Sequence, residues 1–213
     1  MNVGDDWGLE TLAWTKMSYR PAKMLNKYVV RKQAAVSVAL TPPAEAPAAE
    51  PATPTPVEVR AARKDDLAAA VELERMCFGT GAFSLTKRQL QYLQRRPTAV
   101  FLVAEQEGTV VGQGVALVRQ HRTGASGRIY SLSTHPERRG QGIGEALLRS
   151  MVSTLSDRGV RRVYLEVDRD NAPAIRLYER WGFRRVGTLS DYYGRGRDAV
   201  RMMHEPSTAA MVA

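Results

Sequence analysis

One cysteine, Cys77, stands in 213 residues, and the three histidines, His121, His135 and His204, are scattered. A lone thiol excludes an internal disulfide framework and fits a reducing compartment, and no Cys/His spacing matches a zinc site, so no metal is expected. No Ser or Cys lies in a G-x-S-x-G elbow, which leaves covalent catalysis without an obvious nucleophile. Cys77 follows the helical run "VELERM" with no base beside it and reads as a small buried hydrophobe. Long apolar runs are also missing: the best, "AAVSVAL" at 34–40, is far short of a membrane span, and the charged residues ahead of it do not fit a secretory signal. A cytoplasmic protein without a membrane partner is expected. Aromatics are sparse at 7%, and the arginines that dominate the net charge of +9 are spread from Arg60 to Arg201 without a dense block. That pattern argues against nucleic acid and for a basic surface suited to a polyanionic cofactor or acidic peptides.

What is present divides the chain. Residues 41–56, "TPPAEAPAAEPATPTP", cannot bury apolar surface and read as a linker. Residues 1–40 before it lack a tidy period and are expected to form a mobile or weakly structured extension, with Met17 and Met24 as alternative starts. Residues 57–205 alternate strand and helix as one α/β domain, and 206–213 form a short tail. "VEVRAA" is a strand; "DDLAAAVELERMCF" is a helix whose first turn Asp65 or Asp66 can cap. "SLTKRQLQYLQ" is a helix ended by Pro97. "AVFLVAEQEGTVVGQGVALV" is a hairpin turning at Glu107 and Gly108. "GRIYSLSTHP" is a strand feeding a glycine loop and a helix over about 142–158; "VRRVYLEVD" is a strand, "NAPAIRLYERWG" a helix, and "FRRVG" with "DAVRMMH" a terminal strand pair.

The glycine loop lies in "RRGQGIGEALL", residues 138–148. Glycines let backbone approach a ligand, and the first turn of a helix offers unpaired N–H groups and a positive dipole end, so a phosphate is the natural guest. The loop lacks the Lys and hydroxyl of a nucleoside-triphosphate loop and does not follow G-x-G-x-x-G. Arg139-x-x-Gly142-x-Gly144 after a strand ending in "HP" instead resembles the acetyl-CoA pyrophosphate loop of the GNAT superfamily of N-acetyltransferases. "LEVDRDNAPAIRLYERWGF", 165–183, resembles that superfamily's second cofactor motif, and "DYYGRGRDAVRM", 191–202, is similar to the tail of the RimI-like ribosomal-protein-alanine N-acetyltransferases. The likeness spans about 57–205.

The resemblance implies a single GNAT fold, a mixed sheet of about six to seven strands with helices on both faces, and an enzyme that passes acetyl from acetyl-CoA to an amine in a ternary complex. It implies a cofactor site at Leu132, Ser133 and Thr134, at Arg138, Arg139, Gly140, Gln141, Gly142, Ile143 and Gly144, and at Asn171. A backbone N–H at Leu132 would serve the thioester oxygen. Glu166, opposite in facing to Val163, Leu165 and Val167, would take the amine proton; the alternative for it is a structural ion pair with an arginine. Tyr178 would protonate the leaving thiolate, although Ala174, Leu177, Tyr178 and Trp181 also form a plain core stripe. Tyr192 and Tyr193 either line the acceptor groove or pack over their hairpin. The implied acceptor is a protein or peptide N-terminus, a ribosomal protein among the candidates, and the chain itself is expected to be a monomer or homodimer. A small-molecule amine acetyltransferase and a non-catalytic acetyl-CoA-binding module are the rival readings.

Overall fold

A computed structural model describes residues 56–80, 83–122 and 124–206. The expectations for the extension, for most of the linker and for residues 207–213 lie outside the described residues. Seven strands, β1 (Glu58–Ala61), β2 (Ala99–Gln106), β3 (Thr109–His121), β4 (Gly124–Thr134), β5 (Val160–Asp168), β6 (Arg184–Leu189) and β7 (Ala199–His204), form one sheet in the order β1-β2-β3-β4-β5-β7-β6. Only β4 and β5 run parallel; the other neighbours are antiparallel. The helices α1 (Leu67–Phe78) and α2 (Lys87–Gln94) cover one face, and α3 (Ile143–Asp157) and α4 (Ala172–Arg180) cover the other. This is the mixed α/β sheet that the sequence implies.

The core between the sheet and α3/α4 follows from strand alternation. Val163, Leu165 and Val167 of β5 meet Leu148, Met151 and Leu155 of α3 and Ile175 and Tyr178 of α4, all buried. Each such side chain contributes roughly 1.5–3 kcal/mol when taken from water. The stripe on α4 is core as its spacing required: Ala174, Leu177 and Trp181 pack at its margin around Tyr178. Helix α2 starts at a reciprocal capping box, with Thr86 Oγ1 accepting from Gln89 N–H and the Gln89 carbonyl accepting from Thr86 N–H.

Helix α1 departs from the expected cap. A short 3-10 turn, Lys64–Asp66, precedes it, and the Asp66 carboxylate accepts from Arg63 N–H at 2.6 Å and pairs with Arg60 at 2.7 Å rather than capping α1. The guanidinium of Arg60 is a stronger partner than the amides of a helix start, and it holds the Asp66 carboxyl below its ordinary range.

Strand β4 carries an irregularity that the alternation pattern does not announce. It pairs with β3 as Ile129↔Ala116 and then Ser131↔Val115, so Tyr130 is the extra residue of a bulge in the register. One inserted residue reverses the facing of everything after it. Ile129 packs in the core beneath α3, whereas Ser131 turns to the opposite face and reaches α1.

Candidate active site

The site begins where β4 and β5 part. Their pairing runs only from Ala125↔Val160 to Arg128↔Tyr164. Beyond that rung the bulged end of β4 and the end of β5 diverge, opening a cavity of about 600 Å³ in the middle of the sheet. Its walls include Ile129 to Leu132 from β4, Leu165 to Asp168 from β5, Asn171, Ala174 and Tyr178 around α4, Cys77 and Phe78 at the end of α1, and Phe83, Tyr193 and Arg197.

The register fixes which backbone groups face this opening. His135 N–H bonds to Val111 C=O, which makes Thr134↔Gly112 and Leu132↔Gly114 the non-hydrogen-bonded pairs of the β3/β4 ladder. The N–H and C=O of Leu132 and Thr134 therefore point away from β3, toward the split. Thr134 C=O accepts from the Cys77 thiol at 3.3 Å. Cys77 is thus half-buried and lines the cavity, where the sequence suggested a plain buried hydrophobe. The departure of β5 exposes it.

From Thr134 the chain passes through a 3-10 turn, Pro136–Arg138, into the glycine loop. Gly140 and Gly142 both have φ of 79°, in the left-handed region that an L side chain enters at a cost. Gly142 is the N-cap of α3, and Ala146 N–H is the donor that returns to its carbonyl, so the N–H groups of Ile143, Gly144 and Glu145 have no acceptor within the helix. Gly144 is helical, and a Cβ there would sit in ordinary contact, 3.5 Å from Thr134 Oγ1. Gln141, Arg138 and Arg139 are exposed around this positive helix end, and Arg139 Nη2 lies 3.7 Å from Cys77 Sγ. A cradle of unpaired N–H groups with open space above it fits a diphosphate.

On the α1/α2 side of the sheet, Glu166 is buried at 5% side-chain exposure between two arginines. Arg128 Nη2 is 2.6 Å from Glu166 Oε2, and Arg201 Nε, from the paired position on β7, is 3.3 Å from Oε1. The Arg128 guanidinium also donates to the Tyr192 hydroxyl at 2.7 Å. The Tyr193 hydroxyl donates to Glu166 C=O at 2.9 Å, and its ring meets Phe83 edge to face at 5.1 Å. Burial pushes the phenols of Tyr192 and Tyr193 upward, and that of Tyr130, at the bulge, to about 12.

Across the opening, Asn171 caps α4, Oδ1 accepting from Ala174 N–H at 3.3 Å. Tyr178, one face of which packs on Phe183 at 5.8 Å, lines the cavity with its phenol pushed to about 12 by burial. It is therefore a neutral hydroxyl at any ordinary pH.

Of the sequence-predicted residues, the cavity gathers Leu132, Glu166, Asn171, Tyr178 and Tyr193. The loop from Arg138 to Gly144 stands beside it, and Tyr192 stands behind Arg128. Ser133 turns its side chain under α1, where its hydroxyl has no hydrogen-bond partner among the described residues. Sequence reasoning missed Arg128 and Arg201, which are ordinary arginines in an arginine-rich chain. It also missed Glu74, which is fully buried. A signal for Glu74 existed: it falls on the apolar stripe Leu67, Ala70, Glu74 of α1, where a carboxylate needs a reason.

A parallel strand pair that splits around a cavity, with a phosphate-sized cradle at the helix after the first strand, is the site that the resemblance to an acyl-coenzyme A-dependent transferase implies. Comparison with known proteins narrows this: the acetyltransferase (GNAT) family matches residues 67–183, and the chain belongs to that family. Its co-substrate is acetyl-CoA. Among solved structures, the chain is similar to the ribosomal-protein-S18-alanine N-acetyltransferase of Escherichia coli, at 25% identity over 74% of this chain and 98% of that one with a TM-score of 0.60. It is also similar to the ribosomal-protein-alanine N-acetyltransferase of Brucella melitensis, at 26% identity over 70% and 99% with a TM-score of 0.60. Arabidopsis thaliana NAA60, solved with acetyl-CoA, shares the fold at 24% identity over 70% and 98% with a TM-score of 0.62. No helix among the described residues is long and apolar enough to cross a membrane.

Proposed function

We propose that this chain acetylates the N-terminal α-amino group of a protein or peptide, the amine attacking directly while both substrates are bound. The observation that supports this most is the wall of the cavity on the α1/α2 side. Phe83 and Tyr193 stand beside Glu166, Asp168 and Asp170, which offers rings to the first side chains of a peptide and carboxylates to its ammonium. The likeness to two ribosomal-protein-alanine N-acetyltransferases supports the same acceptor class, with a ribosomal protein as the first to test.

Acetyl-CoA supplies an activated acetyl group and a thiolate leaving group. The N–H groups of Gly142 to Gly144, with Arg138 and Arg139, hold its diphosphate; Gly140 and Gln141 shape that loop, and Ile143 anchors it in the core. The β4 backbone at Ser133 and Thr134 and the Asn171 side chain border the pantetheine arm. Leu132 N–H donates to the acetyl oxygen as negative charge develops there. Glu166 takes the amine proton through a water, because both of its oxygens already face arginines. An α-amine with pKa about 7.7–8.0 asks little of such a base. Tyr178 returns a proton to the departing sulfur, and Tyr192 and Tyr193 hold Arg128 and the Glu166 backbone in place at the acceptor groove.

The test is mass spectrometry of a peptide library after incubation with the pure protein and acetyl-CoA. Acetyl is expected on the α-amines of a subset sharing their first residues, with internal lysines untouched. Acetylation confined to lysines, or to small amines offered alongside, would sink the reading.

A further inference from the structure

Among the described residues Glu74 is the one carboxylate buried completely, and the reaction above does not use it. It sits on α1 with no measurable exposure and receives three neutral donors: Leu85 N–H at 2.9 Å, Gln113 Nε2 at 2.6 Å and the Ser131 hydroxyl. A leucine at this stripe position would fill the volume without the desolvation that burying a carboxylate costs. What the carboxylate adds is the set of elements it joins. Ser131 lies just beyond the Tyr130 bulge, in the half of β4 that has lost β5 as a neighbour. Gln113 is the cross-strand partner of Ser133. The two contacts therefore flank Leu132, whose N–H faces the cleft. Leu85 belongs to the segment that carries Phe83 onto the acceptor wall. One turn further along α1, the Cys77 thiol holds Thr134 C=O, so α1 takes over the anchoring that β5 gives up.

We propose that Glu74 is a positioning residue for acyl transfer, its single carboxylate setting the split half of β4 and the Phe83 segment in register with each other. The proposal rests on the acetyl-transfer reading of the cleft and goes beyond it by naming what couples the thioester strand to the acceptor wall. Glu74→Gln would keep one acceptor oxygen and so spare one arm, whereas Glu74→Leu removes both, the Leu85 bond on Oε2 and the Gln113 and Ser131 bonds on Oε1. Ser131→Ala disturbs the strand alone.

Hydrogen exchange on the full chain reads this without turnover. Glu74→Leu should speed exchange about tenfold at residues 83–86 and 130–134 together, as loss of one hydrogen bond in each segment implies, while α3 is unchanged. Ser131→Ala should do so at 130–134 only. In steady-state kinetics on whichever amine the wild type acetylates, Glu74→Leu should lower kcat by about 10- to 100-fold and raise acceptor KM, with acetyl-CoA KM within about twofold. Ser131→Ala should lower kcat alone. Unchanged exchange in both segments, protection lost evenly over the domain, or an acetyl-CoA KM that rises in step would overturn the proposal. If Glu74→Leu does not fold, Ser131→Ala decides: normal kcat with unchanged exchange at 130–134 overturns it. Wild-type activity on small amines but not on peptides would defeat the acceptor assignment and leave this comparison intact.

Discussion

Arg128 is the last residue of β4 that pairs with β5, and its guanidinium closes on Glu166 two residues past that rung, 2.6 Å from Oε2. The ion pair therefore stands at the apex of the split, with side-chain exposures of 13% and 5%. The two readings the sequence left for Glu166, proton acceptor and structural anion, meet in one residue at this point.

They separate on mutation. Glu166→Gln leaves Arg128 buried without its anion, and breaking such a pair costs about 3–5 kcal/mol. Adding Arg128→Met removes the buried charge that Glu166 balanced, so the double variant should regain most of the lost stability in thermal unfolding. It should not regain activity at neutral pH. If Glu166 accepts the amine proton, the turnover of Glu166→Gln climbs with pH as the acceptor deprotonates by itself. A flat pH profile, with activity restored by Arg128→Met, would make the residue structural only.

Tyr178→Phe removes one hydroxyl from a ring that stays packed against Phe183. Stability and acetyl-CoA KM should hardly move, while kcat falls about 10²-fold. Because burial places the phenol at about 12, the wild-type acid stays protonated until pH approaches that value. Raising the pH should consequently not rescue the variant. Normal turnover by Tyr178→Phe would return the tyrosine to the core and leave the thiolate to water.

The elements were legible because their periods are clean. "VRRVYLEVD" is β5 from Val160 to Asp168, and the helix read over about 142–158 runs Ile143–Asp157. The facing of Glu166 followed from alternation alone. Alternation also explains what stayed hidden. Reading "GRIYSLST" with an unbroken period of two puts Ile129, Ser131 and Ser133 on one face, and nothing in the residues marks Tyr130 as the insertion that sends the serines to α1. The partners of Glu166 were hidden for another reason. Strand order β5-β7-β6 brings Arg201 beside it from a distant part of the chain, and no local spacing encodes that.

The glycine loop gives a graded test. Gly142 has φ of 79°, so Gly142→Glu combines backbone strain of about 1–2 kcal/mol with bulk and negative charge where the diphosphate belongs. Calorimetry should find acetyl-CoA binding lost while circular dichroism remains native. Gly144→Ala adds a Cβ in ordinary contact and a better helix former, so it should bind acetyl-CoA nearly as wild type. Equal loss in both would place the contact on Gly144 rather than on the loop before it.

The domain boundary is proposed from composition, since a Pro/Ala-rich segment cannot contribute a core. A chain beginning at Pro56 should fold cooperatively and keep its turnover on a peptide acceptor. Precipitation, or loss of activity in a folded protein, would show that residues before 56 belong to the catalytic unit.

The last prediction concerns the charge on Glu74. Burial raises its carboxyl above the ordinary 4.5, and its three donors offset only part of that rise. Below the ordinary value the group is protonated in folded and unfolded chains alike and contributes nothing to pH dependence. As pH climbs past it, the unfolded chain releases the proton and the folded chain retains it, so Glu74 lowers stability progressively until its own folded value is passed. Asp66 and Asp168 act with the opposite sign, being held below 3.8, and their contribution is complete before this window opens. The difference between wild type and Glu74→Gln isolates the one group. Thermal unfolding of both from pH 4 upward should show the wild-type advantage shrinking above about pH 4.5, by about 1.4 kcal/mol for each unit by which the folded value is raised. A difference that stays constant across this range would mean that the donors fully compensate burial and that Glu74 is an ordinary ionised carboxylate in the folded protein.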